Sequence, residues 1–482
     1  MNKHLTNRFE YNLFIGGEWL AASQPRIDVI NPADGSFVGS VANAGTGEAL
    51  AAVRAAHDAG PAWAATSPRE RSVILQRCFE LMQAEAEDLA RLITMENGKS
   101  LTDARGEVAY AAEFFRWFAE EAVRIRGEMN VAPSGANRMI IHHQPVGVAL
   151  LITPWNFPAA MATRKMGPAL AAGCTVVLKP ATETPLTAYA VADIMDRAGV
   201  PKGVVNVITP NKPSGVISTL MNHPKVRKVS FTGSTPVGRI LLSQAAQNVL
   251  KCSMELGGNA PFLVFDDADL EAAVDGAMIA KMRNGGEACT AANRFLVQDS
   301  VAEKFTEMLA ERMASIKIGN GLEDGVQCGP MINAAAIKDI QELVDDAVGE
   351  GARVVTGGKA MDGEGHFFAP TVLADVPKSS RMLIEEIFGP VAPIVTFKTE
   401  DEAIEMANDT EYGLVSYLYT TDLARGLRVS EALDAGMIAL NRGLVSDPAA
   451  PFGGTKQSGL GREGSHCGIH EFMEVKYIAT DW

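Results

Sequence analysis

The sequence predicts an α/β protein with a doubly wound parallel sheet, a second α/β unit and a small strand element near the end of the chain. Two observations lead to this prediction. From residue 146 onward, predicted strands and helices follow one another in strict turn, starting with the continuous apolar run VGVALLIT. A second alternating series starts at APFLVF and continues to MIALN near residue 440. Strands that alternate with helices form right-handed crossovers, so they lie parallel in a sheet covered on both faces.

The composition is that of a globular protein with more than one domain. At 482 residues, the chain exceeds the size at which a single hydrophobic core stops growing. Its net charge of −15, with no sustained basic tract, argues against nucleic acid and anionic membrane surfaces as partners. No apolar run approaches the ~20 residues of a membrane helix, and the first residues carry no signal-peptide pattern.

Cysteine and histidine spacing argues against disulfides and metal sites. The six cysteines are widely scattered, and none belongs to a CxxC pair. The eight histidines form no HExxH motif, and the adjacent His142 and His143 lie on one predicted strand, where neighbours cannot chelate an ion well. We therefore expect reduced thiols, a cytoplasmic location and no metal.

The first elements are predicted to be short strands followed by helices. Short strands fit YNLFIGGEWL, which begins at residue 11. One helix is predicted from about residue 69 to residue 95. A second helix, DARGEVAYAAEFFRWFAEEAVRI, is apolar enough to be largely buried.

The alternating region supplies the predicted parallel sheet. After VGVALLIT, the predicted strands are TVVLKP, GVVNVI, KVSFT and LKCSMEL. The predicted helices lie near 159–171, 185–198 and 213–221, with a fourth from about residue 236. Ligands of such sheets bind at the carboxyl ends of the strands, so we expect a site at the loops after VVLKP and KVSFT.

The second unit begins with a strand and a capped helix. Asp266 to Asp269 supply carboxylates for the helix N-terminus, and apolar residues recur at helical spacing from Leu270 to Met282. NGG ends this helix and RFLVQ resumes a strand, so Cys289 is predicted to lie in a helix-to-strand connection. The final MEVKYIATDW alternates like an edge strand, which indicates either docking on another element or subunit or a simple surface strand.

Cys289 and Glu255 are candidate catalytic residues. Cys289 stands in GGEACTAAN, where small neighbours leave an approach path to a nucleophilic sulfur. Glu255 follows an apolar strand and precedes two glycines, and a carboxyl at a buried strand end has the raised pKa of a general base. The alternatives are a filler thiol in the core and a helix-capping or ion-paired glutamate. Each stretch taken alone favours the alternative.

Two further stretches suggest donors for an oxyanion and for a phosphate. In TPWNFP, two prolines fix the backbone around Asn156, whose amide can donate to an oxyanion. The alternative is a rigid turn with apolar rings packed inward. In FTGSTPVG, Gly233 and Ser234 lie where a strand gives way to a helix, whose free N–H groups can hold a phosphate. Glycine turns before helices are common, so this pattern alone does not define a site.

Together these stretches resemble the aldehyde dehydrogenase superfamily, from about residue 12 to the end of the chain. The sequences that carry the resemblance occur in that family's order: TPWNFP, KPATETP, FTGST, ELGGNAP, EACTAANR, EEIFGP and PFGGTKQSGLGREGS. The resemblance implies that Cys289 attacks the aldehyde carbon while Asn156 and the Cys289 backbone N–H hold the oxyanion. Hydride then passes to a nicotinamide, and Glu255 activates the water that releases a free carboxylic acid.

The resemblance also implies a set of cofactor contacts. In the family, the matching residues position the nicotinamide ribose and ring, the adenosine ribose and the pyrophosphate. The implied contacts are Thr153, Pro154, Trp155, Lys179, Thr182, Gly233, Ser234, Glu386 and Phe388. Relatives that strongly prefer NAD often carry a glutamate at the position of Thr182. A neutral side chain does not repel a 2′-phosphate, and Lys179 can pair with one, so we predict that NADP is accepted and preferred over NAD.

Within the family, MATRKMGPALAAGCTVVLKP and GLGREGS resemble succinate-semialdehyde dehydrogenases. In that subfamily two arginines and a serine hold the distal carboxylate of the substrate, and they match Arg164, Arg283 and Ser465. Without the resemblance, the sequence predicts that Arg164 lies at the surface. It predicts that Arg283 lies at a helix C-terminus, where its positive charge interacts favourably with the helix dipole. Arg442 either adds a third positive charge or pairs with Asp447.

The resemblance divides the chain into three parts. Residues 1–127 and 146–256 are expected to form a dinucleotide-binding domain, and residues 257–456 a catalytic domain. Residues 128–145 and 457–482 are expected to be oligomerisation or bridging segments, in a homodimer or homotetramer.

The leading hypothesis is an NAD(P)-dependent, non-acylating dehydrogenase of succinate semialdehyde. The alternatives are glutarate semialdehyde, other ω-carboxy aldehydes and a broader range of aldehydes. They remain open because the arginines that would hold the carboxylate do not determine the length of the pocket. A non-catalytic binding or structural protein on the same fold is a further alternative, and the joint presence of Cys289, Glu255 and Asn156 argues against it. Ala291 stands where some relatives carry a second, disulfide-forming cysteine, so we expect no redox switch there.

Overall fold

The helices and strands follow the predicted alternation closely. A computed structural model of the chain describes residues 9–481. The α-helices are α1 (Thr46–Ala65), α2 (Pro68–Ala84), α3 (Ala86–Asn97), α4 (Leu101–Ala122), α5 (Pro158–Ala172), α6 (Pro185–Ala198), α7 (Pro213–Met221), α8 (Thr235–Ala245), α9 (Leu270–Met282), α10 (Asp299–Ala314), α11 (Ala334–Gly349), α12 (Glu400–Asn408), α13 (Leu423–Ala432) and α14 (Cys467–His470). Short 3-10 helices span Arg283–Gly286 and Arg381–Leu383.

The strands fall into sheets of unequal size. They are β1 (Phe9–Tyr11), β2 (Leu13–Ile15), β3 (Glu18–Leu20), β4 (Gln24–Ile30), β5 (Phe37–Asn43), β6 (Glu128–Val131), β7 (Arg138–Pro145), β8 (Val148–Ile152), β9 (Thr175–Lys179), β10 (Val205–Val207), β11 (Val226–Thr232), β12 (Lys251–Glu255), β13 (Ala260–Val264), β14 (Ala292–Gln298), β15 (Arg353–Thr356), β16 (Thr371–Ala374), β17 (Val391–Phe397), β18 (Tyr412–Gly413), β19 (Val415–Tyr419), β20 (Met437–Leu440), β21 (Thr455–Lys456), β22 (Gly459–Leu460) and β23 (Met473–Thr480). Besides the three sheets described below, β1, β5 and β4 form a small sheet, and β18 pairs with β21.

The first sheet confirms the predicted doubly wound arrangement. Its strand order is β22-β12-β11-β8-β9-β10-β2-β3. The five strands from β12 to β10 are parallel, while the edge strands β22, β2 and β3 are antiparallel. The chain runs from β8 outward to β10 and then returns to place β11 on the other side of β8. The strand order therefore reverses between β8 and β11.

The second sheet has the order β15-β16-β17-β14-β13-β19-β20. All neighbours are parallel except β15 and β16. Buried apolar side chains cover both faces of each large sheet, as the continuous apolar strands predict. The segment that carries Cys289 joins α9 to β14, which is the predicted helix-to-strand connection.

The third sheet is small and antiparallel, in the order β23-β7-β6. Strand β23 pairs along its whole length with β7 and occupies an edge, as its alternating sequence predicts. The segment after residue 456 is not confined to this sheet, however. Strand β22 pairs with β12 and so extends the first sheet.

One prediction about the helices was wrong. The single helix expected from about residue 69 to 95 is two helices, because α2 ends at Ala84 and α3 begins at Ala86. The intervening Glu85 has φ −108° and ψ 17°, and its carboxylate pairs with Arg197 of α6 at 2.7 Å. No glycine or proline marks this break in the sequence. A contact with a distant helix holds the break, so no local pattern predicted it.

None of the helices within residues 9–481 combines the length and apolar character needed to cross a bilayer. In the same residues, no group of three or more His, Cys, Asp and Glu side chains is arranged to hold a metal ion.

Candidate active site

A cleft of about 240 Å³ opens where the strand order of the first sheet reverses. Its lining residues are Pro154, Trp155, Asn156, Met161, Thr232, Gly233, Ser234, Leu256, Gly257, Cys289, Glu386 and Phe388. Reversal points of doubly wound sheets are ligand sites because the loops diverge there. Two loops were predicted to form a site, and the loop after β11 lines this cleft, whereas the loop after β9 contributes none of these lining residues. The loop after β8 contributes as well, since β8 is the strand that neighbours β11.

Cys289 reaches this cleft on a sharply turning segment. Gly285 and Gly286 have φ values of 60° and 84°, which favour glycine. From the opposite side, Gly258 packs so closely that a Cβ there would overlap the carbonyl oxygen of Cys289. The small residues of both stretches therefore allow the nucleophile segment to approach the end of β12.

The Cys289 thiol is half-buried in this segment. Burial raises its pKa to about 12. The guanidinium of Arg164 lowers this pKa, the carboxylates of Glu386 and Glu255 raise it, and the guanidinium of Arg283 lowers it. The resting sulfur is therefore a neutral thiol that must lose its proton before it can attack.

Glu255 ends β12 and is only 2% exposed. Burial raises the pKa of its carboxyl well above the usual value, and the carboxylate of Glu463 raises it further, while Arg164 and Lys165 lower it. Its Oε2 has no hydrogen-bond partner among the described residues. A buried carboxyl with one unbonded oxygen suits the predicted general base, which acts once it has lost its proton.

Asn156 follows β8 with its side chain buried. Its amide Nδ2 donates to the carbonyl oxygen of Glu287 at 3.0 Å, which leaves one amide N–H free. The backbone N–H of Cys289 makes no hydrogen bond within residues 9–481. Both residues line the same cleft, so two N–H donors are available there for an oxyanion.

Six of the predicted cofactor contacts line the cleft, namely Pro154, Trp155, Gly233, Ser234, Glu386 and Phe388. The rings of Trp155 and Phe388 meet edge to face, with centroids 5.5 Å apart. Ser234 is the N-cap of α8, and its hydroxyl makes no capping bond. Burial raises the pKa of Glu386 to about 7, and its Oε1 accepts the N–H of Gly258 at 3.1 Å.

The other three predicted cofactor residues lie beside this group. Thr153 donates its backbone N–H to the carbonyl oxygen of Lys179, which ends the neighbouring strand β9. Burial lowers the pKa of the Lys179 ammonium and Glu183 raises it. Thr182 is half-buried in the loop that follows. In the described part of the chain, the Lys179 ammonium makes no hydrogen bond or short ion pair, so it is available to a ligand.

Arg164 is buried. The prediction of a surface arginine, made without the family resemblance, was therefore wrong. It lies in α5 with 1% exposure, and its Nε is 2.6 Å from Oε2 of Glu463. Its guanidinium also stacks on the ring of Phe452, 4.1 Å from the centroid. Glu463 belongs to the GLGREGS segment, which packs against α5 from nearly 300 residues away. Oε1 of Glu463 contacts the Lys165 ammonium at 2.5 Å.

The remaining predicted substrate residues have different surroundings. The Arg283 guanidinium lies 4.7 Å from the ring centroid of Phe157. Ser465 is buried with φ 52°, and its hydroxyl lies 3.2 Å from Nδ1 of His466. Arg442 is exposed and forms no ion pair with Asp447 within the described residues.

Sequence reasoning did not identify four buried residues that support the site. These are Lys99, Lys165, Asn284 and Glu463. One signal was available, since Arg164 and Lys165 are adjacent cations in the otherwise apolar helix MATRKMGPALAA. Cations inside a buried helix require a carboxylate partner.

Comparisons with known proteins show the family of the chain. The glutarate-semialdehyde dehydrogenase of Pseudomonas putida is 53% identical over 471 residues, which cover 98% of each chain. The NADP(+) succinate-semialdehyde dehydrogenase of Escherichia coli is 52% identical over 474 residues, again 98% of each chain. The crystal structure of an NADP-dependent enzyme of E. coli matches with a TM-score of 0.98 at 51% identity, covering 100% of this chain and 99% of that one. The model of the aldehyde dehydrogenase family matches residues 19–478, and the chain therefore belongs to that family.

Proposed function

We propose that this aldehyde dehydrogenase oxidises succinate semialdehyde to the dicarboxylic acid, with NADP as its preferred cofactor. The observation that carries the proposal is the positive charge next to the nucleophile. The Arg164 guanidinium contacts Met161, which lines the cleft together with Cys289. The Arg283 guanidinium lies on the ring of Phe157, the neighbour of Asn156, and both cations lower the pKa of the Cys289 thiol. An aldehyde with a carboxylate at its far end matches these two cations.

The first chemical step joins the sulfur of Cys289 to the aldehyde carbon. The thiol releases its proton to solvent water that enters the cleft, and the two arginines favour the resulting thiolate. As the C–S bond forms, the carbonyl oxygen becomes an oxyanion. The free amide N–H of Asn156 and the backbone N–H of Cys289 stabilise that oxyanion, a contribution typically worth 10²–10³ in rate per donor.

The later steps produce the acid. A nicotinamide held by the residues of the cleft would supply the hydride acceptor for the oxidation, after which Cys289 carries the substrate as a thioester. Glu255 in its ionised form takes a proton from water, and the water oxygen bonds to the thioester carbon as the C–S bond breaks. The sulfur leaves as a thiolate and the carboxylic acid is released. Because burial raises the pKa of Glu255, this hydrolysis accelerates as the pH rises through its titration.

The residues of the cleft fit a nicotinamide dinucleotide. Ser234 and the first N–H groups of α8 suit the pyrophosphate, since the hydroxyl has no capping bond of its own. The carboxylate of Glu386 suits ribose hydroxyls, and Trp155 with Phe388 provides an apolar wall for the ring. Thr153, Pro154 and Gly233 complete the proposed contacts, and each lies in one of the two loops that border the cleft.

NADP is the proposed preference for two reasons. Thr182 is neutral, so it does not repel a 2′-phosphate, and the Lys179 ammonium is available to pair with one. The E. coli relative, 52% identical, carries NADP(+) in its name.

A carboxylated aldehyde is the proposed substrate because the buried groups near Cys289 carry more positive than negative charge. Glu463 is one carboxylate beside the adjacent Arg164 and Lys165. Burial lowers the pKa of the Lys165 ammonium and raises that of the Glu255 carboxyl, so it favours the neutral form of both groups. Arg283 adds a further cation. A substrate carboxylate held by Arg164, Arg283 and Ser465 would reduce this excess.

Glutarate semialdehyde is the second candidate substrate. The P. putida relative named for it is 53% identical over almost the whole chain, and the two substrates differ by one methylene. One methylene in a pocket changes binding by only about 1–3 kcal/mol. Cys289 and Asn156 line one cleft, and Glu255 ends the strand directly before the cleft residue Leu256. The presence of all three residues disfavours the alternative of a non-catalytic protein.

The domain arrangement, assembly and location are also proposals. We assign dinucleotide binding to residues 1–127 and 146–256, and substrate chemistry to residues 257–456. Strands from 128–145 and 457–482 carry exposed apolar side chains on the third sheet, which supports self-association into a dimer or tetramer. All six cysteines are free thiols, which supports a cytoplasmic location.

A panel of aldehydes tests the substrate assignment. We expect kcat/KM for succinate semialdehyde to exceed that for propanal by at least about 100-fold, since two arginines discriminate against uncharged chains. Arg283→Met should lower kcat/KM for succinate semialdehyde much more than kcat/KM for propanal, because propanal loses only the support that Arg283 gives to the Cys289 thiolate. Cys289→Ala should abolish both activities. Equal efficiency with both aldehydes would refute the arginine assignment.

A further inference from the structure

Asn284 has a left-handed backbone conformation. Its φ is 54° and its ψ is 40°, a region that residues with a Cβ adopt rarely and that asparagine tolerates better than most of them. The next two residues are glycines, but this position keeps a side chain that is 3% exposed. Strain of this kind persists where the surrounding contacts require it, and it clusters at functional sites.

The Asn284 side chain connects the two halves of the oxyanion site. Its Nδ2 donates to the carbonyl oxygen of Asn156 at 3.0 Å and to the carbonyl oxygen of Glu287 at 3.1 Å. The side chain of Asn156 donates to that same Glu287 carbonyl at 3.0 Å. The backbone of Asn156, its side chain and the segment before Cys289 are therefore held in one ring of hydrogen bonds.

Contacts from α4 and the preceding loop fix this ring from behind. The backbone N–H of Asn284 donates to Oδ2 of Asp103 at 3.1 Å. The Lys99 ammonium donates to the carbonyl oxygen of Asn156 and to Glu107, both at 2.6 Å. The Lys99 contact holds the Asn156 backbone only, whereas the Asn284 amide contacts both the Asn156 backbone and the nucleophile segment.

We infer that Asn284 is a positioning residue for the oxyanion site, acting through Asn156 and the Cys289 segment. This inference rests on the proposed function. Its amide sets the distance between the two free donors, the Asn156 amide N–H and the Cys289 backbone N–H. Preorganised donors lose much of their effect when they are displaced, because the stabilisation depends on their being aimed where charge develops.

Asn284→Gly tests this role without adding strain. Glycine adopts the left-handed backbone freely, so the substitution removes the amide and leaves the main chain able to keep its path. We expect kcat to fall about 10- to 100-fold, with the Kd for NADP unchanged. We also expect an unchanged rate of Cys289 alkylation by iodoacetamide, since alkylation needs the thiol but forms no oxyanion.

Asn441→Gly is the matched control. Asn441 has φ 53° and follows β20, and it does not line the cleft. The same change there should leave kcat at the wild-type value.

A double-variant comparison separates this inference from the proposed function. Asn156→Ala should lower kcat by about 100-fold. The loss in Asn156→Ala/Asn284→Gly should be smaller than the product of the two single losses, because Asn284 acts in part through the Asn156 amide. The positioning role is overturned if Asn284→Gly has the wild-type kcat. It is also overturned if the alkylation rate falls together with kcat, because that result indicates a collapsed loop. Wild-type kcat in Asn156→Ala overturns the oxyanion assignment within the proposed function itself.

Discussion

Burial controls the proton affinity of the carboxyl groups around Cys289. It is the largest cause of the raised pKa values of Glu255, Glu287 and Glu386. The three groups nevertheless serve different purposes. Glu255 has an unbonded oxygen at the end of a strand, Glu386 accepts a backbone N–H in the cleft, and Glu287 accepts the N–H of Ile332 behind it.

Replacing Glu255 with glutamine tests its place in the reaction. The amide cannot take a proton from water, so thioester hydrolysis should slow by about 10²–10⁴-fold. We expect a rapid burst of about one reduced cofactor per active site, followed by a slow steady rate, in rapid-mixing absorbance measurements. Loss of the burst with unchanged NADP binding would show that Glu255 acts before hydride transfer instead.

The burial of Glu287 should make the folded protein less stable as the pH rises. Burial raises the pKa of its carboxyl from 4.5 to about 8, so the folded protein keeps a proton that the unfolded chain releases near pH 4.5. Between pH 4.5 and about pH 8, folding therefore takes up a proton. In this range the free energy of unfolding falls as the pH rises, by up to about 1.4 kcal/mol per pH unit. Glu287→Gln stays neutral, and its oxygen can still accept the Ile332 N–H.

The Tm difference between Glu287→Gln and the wild type should thus grow in favour of the variant from pH 5 to pH 8. Differential scanning calorimetry at several pH values measures it. The same change at Glu303, an exposed residue of α10, should give no such trend. Melting curves that shift in parallel across this range would contradict the expected proton uptake.

At the scale of elements, the loop between β9 and α6 decides the proposed cofactor preference. Thr182→Glu places a carboxylate near the Lys179 ammonium, where it would repel a 2′-phosphate and accept ribose hydroxyls. We expect kcat/KM for NADP to fall at least about 10-fold while that for NAD is maintained or rises. Thr182→Gln is the matched neutral control and should keep the NADP preference. Equal losses with both cofactors would mean that the loop does not distinguish them.

At the scale of the whole molecule, the third sheet exposes apolar side chains on its outer strand β23. Val475 and Tyr477 of β23 are 66% and 58% exposed, and they alternate onto the same side of the strand. We expect light scattering after size exclusion to give a dimer or tetramer mass for the wild type. Val475→Lys/Tyr477→Lys should shift that mass downward.

Leu423→Lys controls for the added charge in this experiment. Leu423 is 69% exposed on α13, far along the chain from the third sheet, so its substitution should leave the mass unchanged. A wild-type protein that elutes as a monomer would contradict the proposed assembly.

Much of the fold followed from local patterns. Continuous apolar strands separated by helix-length segments predicted the parallel first sheet, and most element boundaries lie within a few residues of those expected. The catalytic candidates Cys289, Glu255 and Asn156 were identified because each stands in a short stretch whose residue types suit one chemical task. The family order of those stretches then connected them into one mechanism.

Only the tertiary structure decided which residues support these three. Arg164 is buried because Glu463, from the other end of the chain, reaches its guanidinium. Lys99 and Asn284 hold Asn156 across more than 50 and 120 positions. Hydrogen bonds and ion pairs between such distant residues leave no periodic pattern in the sequence, since periodicity reflects only the local repeat of a helix or strand. The sequence by itself therefore determined most of the elements and supplied the proposed reacting groups, and the packing of distant segments determined which residues surround those groups.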